Sequence, residues 1–475
     1  MCTVPAGADD GRKQEYASGS VRPRYHGRIA WPPGGRNTRS CQRTRAGTSI
    51  FQHLTQYSDL LRYNSNVRWL WFSHVLSLFG DWFNFIASTQ LVAQLAPSPL
   101  ALSILVGIRT ASPVFGAPLV PYIVRRMRRR TLLIGADVIR FFSVLALLLI
   151  RRPEDLWILY AMIGLQGFLA GMFMPVRMAI LPKIVANEHE LGTANTLSSL
   201  SWTAMIALGM SLGGVVTAKA GINVSFVVDA LTFLGSAGLI TLMHYERNAG
   251  PGQPRDIGLP AMDERVTYPD LFRFLRVNLD FLFVGSMKTF VTVFSFVPTQ
   301  VLQVMLSYRY EHIGPSAIVV GIIFGIGGLA SFFAPLVTRV FTGNDHMKLR
   351  HAVTMSFLLT GLGMWFQAPI PPFSVLLFGV ALRNVGAVLI WTFSSQILLS
   401  RVPAAMRDHV LSAEFLLLNL AGVLGVVLPA LTSGNPDRGI PIAFIALGMC
   451  FAVGAGGWAL WLMRGRYSLP EGEQE

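Results

Sequence analysis

Charge is what this chain has least of. Only 13% of its 475 residues are Asp, Glu, Lys or Arg, about half the roughly 25% carried by soluble domains. Hydrophobic residues make up 52% and the mean hydropathy is +0.50, which excludes a solvated globular surface and indicates an integral membrane protein. Acids are scarcer than bases, 25 against 39, for a net charge of +14. That balance would suit a nucleic-acid partner only if the bases shared one face of a soluble fold. Here they sit mostly between apolar runs, where membrane topology explains them, so no nucleic-acid partner is expected. Cysteine is nearly absent: Cys2, Cys41 and Cys450 give neither a disulfide framework nor a metal-ligand spacing. There is no P-loop and no nucleophile, base and oxyanion set. The "GIGG" stretch lies inside an apolar helix and does not follow a strand, so it is no nucleotide fingerprint. An ATP-driven pump and an enzyme are both disfavoured, and neither cofactor nor metal is expected.

What is present is a succession of apolar runs of about 20 residues, each able to cross about 30 Å of hydrocarbon as a helix. The spans read as 67–95, 99–124, 131–150, 155–176, 194–218 and 222–243, then 279–304, 315–340, 350–368, 372–398, 409–432 and 440–463. The expected architecture is therefore an all-α membrane protein of about twelve transmembrane helices in two six-helix halves, 63–244 and 279–464. Residues 1–62 lack apolar periodicity and predict a disordered basic tail, with no secretory leader. The segment 245–278 predicts a polar linker ending in an amphipathic helix, "YPDLFRFLRVNL", and 465–475 a short tail. Arg125, Arg126, Arg128, Arg129, Arg130, Arg177 and Lys183 fall on loops of one side, against Arg151, Arg152, Lys219, Arg309 and Arg438 on the other. The bias predicts both termini cytoplasmic. "FGAPLVPYIVRR" from Phe115 is echoed by "FFAPLVTRVFTG" from Phe332 at an offset of 217 residues, placing a repeat at equivalent helices of the two halves.

Six charges fall several turns inside their spans: Asp81, Arg109, Arg140, Asp229, Lys288 and Arg383. Ionisable groups at membrane depth are expensive and by default functional. Asp81 and Asp229 are the candidates for proton coupling, since desolvation raises a carboxylate's affinity for protons. The alternative for Asp81 is a structural partner of Arg109 or of a backbone amide, and for Asp229 a packing role. Arg140 follows Asp137 at i, i+3, a spacing that permits an intrahelical pair. Arg109, Lys288 and Arg383 leave a cationic surplus that favours an anionic or catecholate-like substrate, unless each cation meets backbone carbonyls or snorkels. Trp82, Phe85, Phe294 and Trp391 are candidates to line a cavity for a bulky organic molecule, the alternative being that they face lipid.

In "FGDWFNF", "APSPLALSILVG", "RRMRRRTLLIGADVIR", "MPVRMAILPKIVANEHELGTANTL", "LGGVVTAKAGINVSFVVDALTF" and, more loosely, "PAAMRDHVLSAEF", the chain resembles the major facilitator superfamily. Within it the likeness is to the drug:proton antiporter-3 group, which includes macrolide efflux proteins and catecholate siderophore exporters. The resemblance implies an Arg-rich gate between the second and third helices. Arg125, Arg128 and Arg129 match that pattern, but Val124 stands where the family has Asp, and Val120 and Met127 replace glycines. Asp137 or Glu414 is a substitute partner, with Arg140 on the same inner side. The combined expectation is a monomeric secondary exporter of an amphipathic small molecule, driven by protons across the cell membrane. The alternatives are an uptake carrier of the same fold and a transport-inactive binding or scaffold protein.

Overall fold

Asn64 sets the start of the first long helix. Its side-chain oxygen accepts from the Val67 amide at 3.1 Å and its own amide donates to the Ile184 carbonyl at 2.7 Å, capping one helix and tying it to the end of another. The computed structural model of the chain describes residues 50–244, 279–342, 346–401, 407–432 and 435–463. Regular structure among them is helical throughout. In the first half the helices are α1 (Ile50–Tyr63), α2 (Ser65–Leu95), α3 (Pro99–Gly116), α4 (Val120–Arg126), α5 (Arg129–Ala146), α6 (Leu156–Ile184), α7 (Glu188–Ala220) and α8 (Ile222–Thr241). In the second they are α9 (Leu279–Val291), α10 (Val297–Ser307), α11 (Ser316–Thr342), α12 (His346–Gln367), α13 (Phe373–Arg401), α14 (Arg407–Gly422), α15 (Val427–Leu431) and α16 (Pro436–Met463).

Among the described residues nine helical segments are long and apolar enough to cross a membrane. Of the expected spans, those that fall short are α2, α12 and the α14–α15 pair. Polar content and breaks explain this: α2 buries Ser73, His74, Ser77, Asn84, Ser88, Thr89 and Gln90, α12 begins "HMKLRH", and a 3₁₀ turn at Val423–Val426 divides α14 from α15. Two further expectations are corrected. The tail does not run unstructured to residue 62, because α1 is helical and its Leu60 is buried with Val67, Leu70 and Val124. Arg177 is not on a loop, because α6 continues to Ile184 and leaves it 5% exposed. The linker 245–278, with its expected amphipathic helix, and the C-terminal tail lie outside the described residues.

Proline explains where helices deform. The repeat at Phe115 passes into a 3₁₀ turn, Ala117–Leu119, with Pro118 and Pro121 close together, whereas its echo at Phe332 stays helical through the single Pro335. A π turn, Thr292–Phe296, joins α9 to α10. Pro298 follows it; its ring cannot tolerate the Phe294 carbonyl in a regular turn, and a wider turn relieves the clash.

One hydrophobic cluster lies wholly within the second half, from Val284 to Trp458. Another joins the halves at the end holding Leu91 and Leu102, through Val297, Val301, Val304, Val320 and Phe324. The joint is made of small residues. A Cβ on Gly214 would overlap the Ala317 carbonyl, one on Gly328 would sit 2.7 Å from Ala207, and one on Gly422 2.8 Å from Thr110. Ser316 donates to Gln90 at 2.9 Å and Ser211 to the Gly321 carbonyl at 3.2 Å. In lipid, such close approach and polar contact are what hold helices together.

Within the first half, Gly80 is the tightest point between α2 and α8, since an added Cβ would overlap Thr232 Oγ1 and Asp229 Oδ1. Gly456 has nothing within 4 Å of the same atom. Gly80→Ala is expected to destabilise the protein by about 1–3 kcal/mol and Gly456→Ala to leave it unchanged, read as thermal midpoints in detergent. Equal midpoints would show that α2 and α8 yield at this contact.

Candidate functional site

The polar residues of α2 recur at alternating spacings of three and four: His74, Ser77, Asp81, Asn84 and Ser88, which places them on one helical face. Asp81 is sixteen residues from Ser65 and fourteen from Leu95, about 24 Å and 21 Å along the helix. The neighbouring helices present matching groups to this face. Arg140 of α5 places Nη2 3.6 Å from the Asp81 carboxylate, with the arginine side chain 5% exposed and the aspartate 23%. The same guanidinium donates to Ser77 Oγ at 3.3 Å and to the Gln166 carbonyl at 3.4 Å, and lies 4.7 Å from the centroid of the Phe233 ring. Arg109 of α3 donates to the Asp81 backbone carbonyl at 3.1 Å and sits over the Trp82 and Phe85 rings at 5.6 and 5.5 Å.

One turn beyond Asp81, Asn84 is the hub. Its amide donates to Asp229 Oδ2 of α8 at 2.7 Å and to Gln166 Oε1 of α6 at 3.3 Å, while its oxygen accepts from Ser88 at 2.8 Å. Asp229 is fully buried and its Oδ1 has no hydrogen-bond partner. Asp137 of α5 is likewise fully buried and accepts from Ser236 of α8 at 2.6 Å. A carboxylate in such a place needs every donor it has.

The second half holds its own set. Lys288 of α9 donates to Glu414 Oε2 of α14 at 2.8 Å, with side-chain exposures of 7% and 8%. Its ammonium lies 5.6 Å from the Trp391 ring. Arg383 of α13 is 4% exposed and donates through Nη1 to Ser295 Oγ in the π turn at 3.1 Å, leaving Nε without a partner.

Several expectations are corrected by this geometry. Asp81 pairs with Arg140 rather than with the side chain of Arg109. Arg140 turns away from an intrahelical pair with Asp137, because Asp81, Ser77 and Gln166 surround its guanidinium. Lys288 is not a surplus cation, and Glu414 serves Lys288 inside the second half rather than the Arg-rich loop. Asp137, Arg140 and Glu414 thus each meet a different partner, Ser236, Asp81 and Lys288. Arg128 is exposed at the start of α5 and Arg129 is buried, while the side chain of Arg125 lies outside the described residues. Trp82 and Phe85 are 5% and 1% exposed. Phe85 meets Phe324 of the other half edge-on at 5.9 Å, so it packs the joint between the halves rather than lining an open wall. Phe294 is half-buried against Phe290, and Trp391 is 41% exposed.

Sequence reasoning missed Asn84, Gln166, Ser77 and Ser236. The signal for three of them was available: Ser77 and Asn84 flank Asp81 at helical spacing, and Gln166 interrupts an apolar span.

Buried, paired charges at mid-helix within a bundle of membrane-length helices are the mark of a polytopic membrane protein with a functional interior. The profile of the Major Facilitator Superfamily matches residues 70–426, and the chain belongs to that family. It is 27% identical over 179 residues to the uncharacterized MFS-type transporter YfiS of Bacillus subtilis, a stretch covering 38% of this chain and 42% of that one. It is 23% identical over 176 residues to the putative bacilysin exporter BacE of Bacillus subtilis, covering 37% and 44%. The chain thus spans less than half the length of the curated relatives it matches. Among solved structures it resembles an auto-inhibited POT family peptide transporter, with TM-score 0.65, 12% identity and 86% and 98% of the two chains covered. It also resembles the nucleoside transporter NupG, with TM-score 0.61, 13% identity and coverages of 85% and 100%. At these identities the structural likeness establishes the fold alone.

The contact of Asn84 with Asp229 generates a prediction. Asn84→Leu removes a hydrogen bond to a buried carboxylate and is expected to lower stability by about 2 kcal/mol or more. The double variant Asn84→Leu/Asp229→Leu strands no carboxylate and should regain most of that loss, as read by thermal unfolding. A double variant no more stable than the single one would sink this assignment.

Proposed function

We propose that the protein is a proton-coupled exporter of an amphipathic small molecule, of the drug:proton antiporter-3 type, working by alternating access between a bundle of residues 63–244 and a bundle of residues 279–464. The observation that carries this reading is Asp81: a carboxylate at the middle of α2, 23% exposed on its side chain, and 3.6 Å from a buried arginine. The pair gives the acid two competing states. With Arg140 engaged the carboxylate holds α5; when a proton is taken up at its exposed side, the attraction is lost and Arg140 retains Ser77 and the Gln166 carbonyl. Protonation therefore removes the charged tie between α2 and α5 and leaves the neutral Ser77 contact to hold Arg140. Asp229, joined to the same helix through Asn84, is the second proton site of the proposal.

Arg109, half-buried and donating to the Asp81 carbonyl, and Arg383, buried and donating to Ser295, together with Lys288, Trp391 and Phe294, are the proposed substrate contacts. Trp82 and Phe85 support Arg109 from beneath. Arg125, Arg128 and Arg129 keep the proposed role of a cytoplasmic-side gate, in a monomer whose termini both face the cytoplasm of a cell membrane. The likeness to BacE, a putative bacilysin exporter, favours export over uptake.

The test is flux of a fluorescent amphipathic dye in proteoliposomes under an imposed pH gradient. Asp81→Asn is expected to abolish accumulation driven by the gradient, by about tenfold or more, a scale typical of losing a positioned proton-transfer group, while equilibrium dye binding persists. Gradient-driven flux equal to wild type in Asp81→Asn would end the coupling role of this residue.

A further inference from the structure

The Lys288–Glu414 pair lies past the joint between the halves. On α13, Asn384 meets Gly327 of α11, where an added Cβ would sit 2.6 Å from its amide nitrogen, and the next residue, Gly328, meets Ala207 of the first half. Trp391 is seven residues further along α13, about 10 Å by helical rise. Its helix packs against α9, α11 and α12, yet the residue stays 41% exposed, with the Lys288 ammonium 5.6 Å from the ring centroid. Behind that ring the ion pair is closed, 2.8 Å long and nearly inaccessible. It is not saturated, because Glu414 Oε1, also buried, has no hydrogen-bond partner.

A closed, neutral pair discriminates among ligands by charge. A cation that takes Glu414 strands Lys288 in a low-dielectric site, and an anion that takes Lys288 strands Glu414. Breaking a buried pair by leaving one partner alone is strongly unfavourable. A molecule carrying both signs avoids the difficulty, since its ammonium occupies Glu414, including the free Oε1, while its carboxylate takes Lys288. An aromatic ring on the same molecule finds the open face of Trp391, and stacked or edge-on rings attract beyond their buried area.

We propose that Lys288, Glu414 and Trp391 form a binding site for a zwitterionic aromatic small molecule, entered by exchanging the internal ion pair for two pairs with the ligand. This rests on the transport reading and deepens it by naming a substrate class. It also replaces the anionic preference drawn from the sequence, which counted Lys288 as unpaired.

Three probes of one shape test the idea on the full chain in lipid nanodiscs by titration calorimetry: L-tryptophan, L-tryptophan amide (a cation) and N-acetyl-L-tryptophan (an anion). L-tryptophan is expected to bind, and each blocked form to bind at least about tenfold more weakly, a step of one decade in Kd. Glu414→Gln should reverse the order in favour of N-acetyl-L-tryptophan, and Lys288→Gln in favour of the amide. The double variant Lys288→Gln/Glu414→Gln strands no charge, so it serves where a single variant fails to fold, and it should bind the three forms alike. Equal affinity of the three for wild type, no binding of L-tryptophan below about 1 mM, or a double variant that still prefers the zwitterion would overturn the proposal. If dye flux remains dependent on Asp81 in that case, the transport reading survives without this ligand class. If tryptophan binds as expected while gradient-driven flux is absent, the transport reading fails and the site stands.

Discussion

A charged side chain in hydrocarbon has no water to fall back on, so each one must find an opposite charge or a donor within the bundle. The arrangement of the first half follows from that constraint. Asp81 binds α2 to α5 through Arg140, Asn84 binds α2 to α8 through Asp229, and Ser236 binds α8 to α5 through Asp137. The three helices are closed into a triangle by polar contacts, and Gly80 lets α2 and α8 approach closely enough for one of them to form. Lipid chains are as apolar as leucine, so burial of apolar surface does little to bring membrane helices together. These contacts, with the small residues beside them, fix which faces meet.

The two halves satisfy the same constraint with different residues. The offset that separates Phe115 from Phe332 also separates Gln166 from Arg383, so α6 and α13 carry polar residues at equivalent positions. Each reaches back to the first long helix of its own half, Gln166 to Asn84 and Arg383 to Ser295. In the first half the contact is neutral and the charges lie at Asp81 and Arg140. In the second the charge has moved onto the α13 position, and the π turn ahead of Pro298 holds the serine that meets it. The shared architecture constrains where a polar contact falls, and leaves its sign free. Two halves of one fold can therefore divide the handling of protons and of substrate between them.

Much of this was legible in the sequence, for a simple reason: apolar runs with few charges leave little freedom about which elements form, and a carboxylate inside one of them announces itself. The fold class and most of the spans are of that kind, and so is the presence of acids inside them at Asp81 and Asp229. What the sequence hid was pairing. The i, i+3 spacing of Asp137 and Arg140 is local, but their partners, Ser236 and Asp81, lie 99 and 59 residues away, and no local rule selects between them. Counting unpaired cations failed for the same reason, since Glu414, near a predicted helix start, reads as a cap until α9 is seen beside it. Arg177 reads as a loop residue where the apolar span ends at 176, although α6 runs on to Ile184 through Pro175 and Pro182. The aromatic residues were the least legible, since Trp82 and Trp391 are alike in sequence and one is buried while the other is open.

Strength is distributed unevenly among these contacts, and that bears on how the molecule can move. Inside each half the ties include a charge-assisted bond, Lys288 to Glu414 or Asn84 to Asp229, worth about 1.5–3 kcal/mol as a class. Between the halves the hydrogen bonds are neutral, Ser316 to Gln90 and Ser211 to a backbone carbonyl, each worth about 0.5–1.5 kcal/mol. Beside the apolar packing of Phe85 on Phe324, Gly214 and Gly328 bring the halves close with no side chain of their own interlocked there. A surface of that kind is close in contact but shallow in relief, so it can part and re-form without pulling side chains through one another. Among the described residues the chain thus carries charge-assisted ties inside each half and neutral ones between the halves.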